Sequence, residues 1–116
     1  MKRNYLLLLL SLLSVSSFAQ LTVQSGATFF IQSGATVTVQ GDVTSNADIQ
    51  GTGLLLLKGT AAQNVNMNGF TINTNIEIDN TNNVLLTGAA RENGLITFTN
   101  GKLVLGNFNF TLSSAG

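Results

Sequence analysis

From Gln20 onward, apolar and polar residues alternate in short runs, each closed by Gly or Asn after roughly seven to ten residues. Period-two alternation is the signature of half-buried strands. The pattern predicts strands at 21–24, 28–32, 36–40, 47–50, 54–58, 63–67, 70–79, 84–87, 95–99, 102–105 and 108–112. Corners fall between them at Ser25-Gly26, Ser33-Gly34, Gly41-Asp42, Gly51-Thr52-Gly53, Asn68-Gly69, 80–83, Asn93-Gly94, Asn100-Gly101 and Gly106-Asn107. Gly and Asn accept the positive φ of tight corners, which β-branched neighbours resist. In 70–79, Phe70, Ile72, Thr74, Ile76 and Ile78 share one face, and Thr71, Asn73, Asn75, Glu77 and Asp79 share the other. Leu54 to Leu57 breaks the alternation, which predicts a strand covered on both sides or lying against the end of a stack. No helical periodicity is found after residue 19.

Repetition separates a solenoid from a sandwich. Gln24-Ser25-Gly26-Ala27-Thr28 recurs eight residues later as Gln32-Ser33-Gly34-Ala35-Thr36. Two or three strands with their corners make a coil of about twenty residues, so 20–116 holds about four or five coils of an all-β parallel solenoid. One coil cannot order itself alone, and stacking supplies the missing apolar contact and backbone ladders. Asn68-Gly69, Asn93-Gly94 and Asn100-Gly101 are also hairpin signals, and they support the alternative of an antiparallel β-sandwich.

The N-terminus has a different pattern. Lys2 and Arg3 precede the apolar run Leu6 to Leu13, broken by Ser11, and Ser17-Phe18-Ala19 follows. This is the layout of a secretory signal peptide over 1–19, and it is shorter than the roughly 18 apolar residues a membrane span needs. The expected product is secreted or exposed on the outer cell surface, with no membrane span once the signal is removed. Its three cations, Lys58, Arg91 and Lys102, face five carboxylates, Asp42, Asp48, Glu77, Asp79 and Glu92. That slight acidic excess offers no footprint for nucleic acid. The chain has no Cys and no His, which removes disulfides, the usual zinc and haem ligand sets, and Ser-His or Cys-His nucleophile pairs. The residues therefore predict a non-enzymatic chain with no catalytic, cofactor or metal site.

Some constellations still permit chemistry. Glu77 and Asp79, two apart on one strand, lie about 7 Å apart along it. With Arg91 or Lys102 as basic partner, they are the carboxylate pair a carbohydrate-active β-helix (a polysaccharide lyase or glycosidase) would use. The plainer expectation is a solvated strand face. Thr36-Val37-Thr38 and Thr97-Phe98-Thr99 present paired hydroxyls, sixty-one residues apart, as an ice- or mineral-binding face would. Asn64 to Asn83 reads as turns and side-chain ladders, with a carbohydrate- or cation-binding edge as the sharper reading. Asp42 and Asp48 lack the dense spacing of a calcium loop. Arg91-Glu92 reads as a solvated turn, and the Phe residues are expected mostly at inward positions. Asn109-Phe110-Thr111 matches a glycosylation acceptor, a match of little weight behind a bacterial-looking export signal.

Residues 57–65 (Leu-Lys-Gly-Thr-Ala-Ala-Gln-Asn-Val), 75–80 (Asn-Ile-Glu-Ile-Asp-Asn), 83–88 (Asn-Val-Leu-Leu-Thr-Gly) and 95–107 (Leu-Ile-Thr-Phe-Thr-Asn-Gly-Lys-Leu-Val-Leu-Gly-Asn) together resemble the N-terminal region of secreted, adhesin-like β-helical surface proteins of the type IX secretion route. The resemblance implies a right-handed parallel β-helix acting as a structural or adhesive module. Its partners would be an extracellular or cell-surface polysaccharide, or a host or neighbouring surface. It also implies a C-terminal sorting domain, which this sequence does not carry. The segment 20–116 is accordingly expected to be incomplete at its C-terminus, with a last coil open to self-association.

Overall fold

The computed structural model describes residues 19–113, and among them there are fourteen strands and no helix. The expected signal peptide lies outside the described residues except for Ala19. The strands are β1 (Leu21–Val23), β2 (Phe29–Ile31), β3 (Thr36–Val39), β4 (Val43–Ser45), β5 (Ile49–Gly51), β6 (Leu54–Leu57), β7 (Gln63–Asn66), β8 (Thr71–Ile72), β9 (Asn75–Asp79), β10 (Val84–Leu86), β11 (Ala90–Glu92), β12 (Ile96–Asn100), β13 (Leu103–Val104) and β14 (Phe110–Leu112).

Every third strand stacks on the last. The first sheet runs β1-β4-β7-β10-β13, the second β2-β5-β8-β11-β14 and the third β3-β6-β9-β12. The strand pairings among the described residues are all parallel. The fold is a three-sided parallel β-solenoid of about five turns. Its rungs repeat every ~4.8 Å, which makes the stack about 20 Å tall. The sandwich alternative is thereby overturned. Asn68 at φ 49 and Gly69 at φ 84 turn a corner between sheets instead of closing a hairpin, as do Gly26, Gly34 and Gly101 at φ near 80.

One side chain in two points to the axis, and the inward positions stack in columns. In the second sheet Phe29, Ile49, Ile72, Glu92 and Leu112 form one column. In the third, Val37, Leu55, Ile76 and Ile96 form another, beside Val39, Leu57, Ile78 and Phe98. The resulting core, among them Ile31, Val43, Ile49, Leu55, Met67, Ile72, Ile78 and Val84, is nearly inaccessible to solvent. At roughly 1.5–3 kcal/mol per buried aliphatic side chain, it is the main stabilising term.

The structure corrects several expectations. β4 and β11 were not anticipated as strands, and 70–79 is two strands separated by a corner at Asn73-Thr74. That corner keeps the alternation in phase, so Ile72, Thr74, Ile76 and Ile78 all remain buried while Phe70 is exposed. Leu54 to Leu57 is neither covered on both sides nor at the end of the stack, because β6 lies within the third sheet between β3 and β9. Leu55 and Leu57 point inward, and Leu54 and Leu56 are half-buried on the outer face. The Phe residues are not mostly inward either: Phe30, Phe70 and Phe108 are exposed, and Phe98, though on an inward column, is exposed on the last described rung of its sheet.

Candidate functional site

The outer face of the third sheet carries the residues with chemistry. β9 presents Glu77 and Asp79 outward, both half-buried, because alternation commits Ile76 and Ile78 to the core. Each carboxylate is engaged by the next coil. Thr99 Oγ1 donates to Glu77 Oε1 (2.9 Å), and Asn100 Nδ2 donates to Asp79 Oδ1 (2.7 Å). From the preceding coil, Lys58 Nζ stands 3.5 Å from Asp79 Oδ2. Lys58 is largely exposed, so the ion pair adds little stability. Arg91 belongs to the second sheet and Lys102 to the corner before β13, so neither shares this face. The arrangement brings the two carboxylates together, but the cation beside them is Lys58.

The two Thr pairs share this sheet without adjoining. The outward column through Thr38 runs Thr38, Leu56, Glu77, Thr97, so an aliphatic and a carboxylate separate the hydroxyls. A continuous Thr array is not formed.

Polar side chains elsewhere tie rung to rung. On the corner after the second sheet, Asn73 Nδ2 donates to Gln50 Oε1 (3.0 Å) and Asn93 Nδ2 donates to Asn73 Oδ1 (2.7 Å), a ladder across three coils. Asn68 Nδ2 donates to Ser45 O and Asn46 Oδ1. Asp42 Oδ1 accepts from the Asn64 N–H and Asp48 Oδ1 from the Thr71 N–H, so these carboxylates stitch backbone. No group of three or more His, Cys, Asp or Glu with metal-holding geometry occurs among the described residues.

Among the buried polar residues Ser45, Gln63, Thr74, Asn80 and Glu92, two features stand out. Gln63 occupies an inward rung of the first sheet, in register with Val84, and is 1% exposed. Its Nε2 donates to Val39 O (2.9 Å) and Gly41 O (2.7 Å), while its Oε1 accepts from the Gly59 N–H (2.8 Å) and Asn80 Nδ2 (3.0 Å). All four hydrogen-bonding positions of the amide are filled. Asn80 also donates to Ala61 O and accepts from the Asn82 N–H.

The second feature corrects a sequence expectation. Arg91-Glu92 is not a solvated turn: it lies in β11, Arg91 is exposed outward and Glu92 is 0% exposed in the inward column. The Gly94 N–H donates to Glu92 Oε1 (2.5 Å), and Glu92 Oε2 has no partner. Burial pushes the carboxyl up from 4.5 to about 8, against the lowering effect of the Gly94 N–H. The strict alternation Ala90-in, Arg91-out, Glu92-in was present in the sequence, but a carboxylate beside Asn-Gly is ordinarily solvated.

Along the axis, an apolar cavity of about 20 Å³ is lined by residues such as Val43, Leu55, Ile72 and Val84. That is room for about one water, which needs ~10–15 Å³, but the apolar lining offers it no hydrogen-bond partner. No helix among the described residues is long and apolar enough to cross a membrane. No protein-family model, curated protein or solved structure matches this chain.

Proposed function

We propose that residues 20–116 form an exported, non-enzymatic module of the outer cell surface or extracellular space, with a structural and adhesive role. The observation that carries this reading is the division between a filled interior and a polar, laddered exterior. The axial cavity of about 20 Å³ has no room for a ligand of pocket size, roughly 300 Å³ or more. Recognition therefore falls to the outer faces of the sheets. These carry amide ladders such as Gln50-Asn73-Asn93, the hydroxyls of Thr36 and Thr38, and the exposed rings of Phe30 and Phe70. Side-chain amides and apolar ring faces suit hydroxyl-rich polysaccharide. Glu77 and Asp79 serve as rung-to-rung acceptors in this reading, with Thr99, Asn100 and Lys58 satisfying them. The Lys2-Arg3 start and the apolar run to Leu13 support export, and the resemblance to type IX adhesin-like proteins supports a surface role.

The test is a binding and turnover panel. The purified chain, freed of residues 1–19, is applied to immobilised polysaccharides and to whole cells, and soluble products are assayed in parallel. Saturable binding without product release is expected, weakened by Phe30→Ala. A defined catalytic turnover, or no saturable binding to any surface, would sink the reading.

A further inference from the structure

Each rung of the inward column in the second sheet except one is apolar. Phe29, Ile49, Ile72 and Leu112 occupy it, and Glu92 sits between Ile72 and Leu112. The carboxyl is fully buried, with one donor, the Gly94 N–H, on Oε1 and none on Oε2. A second unpartnered polar atom lies at the same corner one coil earlier. Thr74 is 0% exposed and its Oγ1 has no partner. Gly94, which donates to Glu92, packs so closely on Thr74 that a methyl at Gly94 would come within 2.7 Å of Thr74 O. Glu92 and Thr74 thus each bury one unpartnered polar atom beside the corner between the second and third sheets, on successive coils, with half-buried Gly94 against the Thr74 backbone.

No charge compensates Glu92. Thr71 and Ile72 on β8, and Phe110, Thr111 and Leu112 on β14, are not titratable. On the elements across the core, Glu77 and Asp79 of β9 point outward, with Lys58 against Asp79. Asp48 is taken up by the Thr71 N–H, Arg91 is exposed on the outside of β11, and Lys102 is exposed at its corner. An ionised Glu92 in this setting is a buried anion held by one N–H, and it must either reach water or take up a proton.

The two sides of Glu92 differ in how easily they open. Ile72, at 2% exposed, is locked within the stack, whereas Leu112 is 59% exposed on the last described rung. Water reaches the carboxyl at least cost by lifting β14.

We propose that Glu92 is a proton-operated latch for the coil that carries β14: the neutral acid holds β14 on β11, and loss of the proton favours release of β14 from the stack. The sign follows from linkage. Burial pushes the docked carboxyl up from 4.5 to about 8, and contact with water on release lowers it back toward the ordinary value. The released form therefore binds fewer protons throughout that window. Opening is rarest at acid pH, rises by up to about tenfold per pH unit as pH approaches 8 and levels off above it, a total change of at most about 3,000-fold.

The experiment is amide hydrogen exchange on the full chain between pH 4 and 9.5, corrected for intrinsic exchange, in wild type and Glu92→Gln. Thr111 and Ser113, whose N–H donates to Glu92 O, report on β14. Their protection should fall with pH in wild type and stay level in Glu92→Gln, while Asn46 and Lys58, whose N–H groups donate from the second coil to Val23 O and Val39 O of the first, keep theirs. A parallel fall in Glu92→Gln, a level profile in wild type, or an equal loss in the first two coils would overturn the latch. Should the variant fold poorly, ¹³C titration of the Glu92 carboxyl in wild type decides alone: a midpoint near 8 supports the proposal and one near 4.5 refutes it.

Discussion

Replacing Gln63 with leucine tests whether the buried amide or the apolar column governs its rung. Leucine is close in volume and matches the neighbours in register, Val84 and then Leu103, so simple column logic predicts a gain. The hydrogen-bond ledger predicts a loss. Four bonds are lost, to Val39 O and Gly41 O and from the Gly59 N–H and Asn80 Nδ2, although Val39 O keeps the Lys58 N–H and Asn80 Nδ2 keeps Ala61 O. The bonds to Val39 O and from Asn80 are fully buried and the other two only partly so. At about 0.5–1.5 kcal/mol net for each bond lost, the four together cost roughly 2–6 kcal/mol. Apolar transfer of leucine returns about 1–2 kcal/mol, for a net loss of about 3 kcal/mol. Urea unfolding of Gln63→Leu against wild type at one pH reads this directly as a lower midpoint at constant slope. A cycle with Asn80→Leu should show coupling of at least ~0.5 kcal/mol, since the two amides share a bond. A Gln63→Leu chain as stable as wild type, or more so, would refute the reasoning and assign the rung to shape alone.

Glu92→Gln should stabilise the fold at pH 7 by about 3 kcal/mol and leave it unchanged at pH 4: the folded pKa of about 8 lies above the unfolded 4.5, so wild-type stability is complete below 4.5 and declines until 8. Thermal melts of both chains across pH 4–9 check this, and parallel curves would contradict it. Gly51→Ala should lose about 3 kcal/mol or more in chemical denaturation, because Gly51 sits at φ 109 and a methyl there collides with the Ile31 carbonyl of the coil below. Asn73→Ala removes the middle of the ladder from Gln50 to Asn93, and should cost about 1–2 kcal/mol by urea unfolding; no change would mean that water replaces both bonds freely.

Alternation and corners were legible in the sequence because both are local. Leu21 to Val23, Thr36 to Val39 and Gln63 to Asn66 were found where period-two runs end at Gly or Asn. The strands that escaped have polar side chains where an apolar one is the ordinary choice. β4 buries Ser45, whose hydroxyl is turned back to Ala47 O (2.6 Å), and β11 buries Glu92. Nothing local distinguishes such a residue from a solvated one, since its burial is imposed by rungs about twenty residues away. The Asn73-Thr74 corner was missed for the opposite reason. It has neither Gly nor Pro, and side chains of the neighbouring coils, Gln50 and Asn93, brace it. At the candidate site, alternation alone placed Glu77 and Asp79 on one outer face, but their partners, Thr99, Asn100 and Lys58, depend on which strands stack, which no local pattern specifies. The exposure of Phe98 and Leu112 arises likewise from their position on the last described rungs.

Residues paired in register are separated by as few as 18 positions, Thr36 with Leu54, and at most 23, Ile49 with Ile72. No pairing requires a segment from the far end of the chain. Each coil needs only its predecessor as a template, so order can advance in one direction while later residues are still unfolded. Such a chain can be delivered as a thread and become structured progressively, beginning with whichever two coils first emerge together.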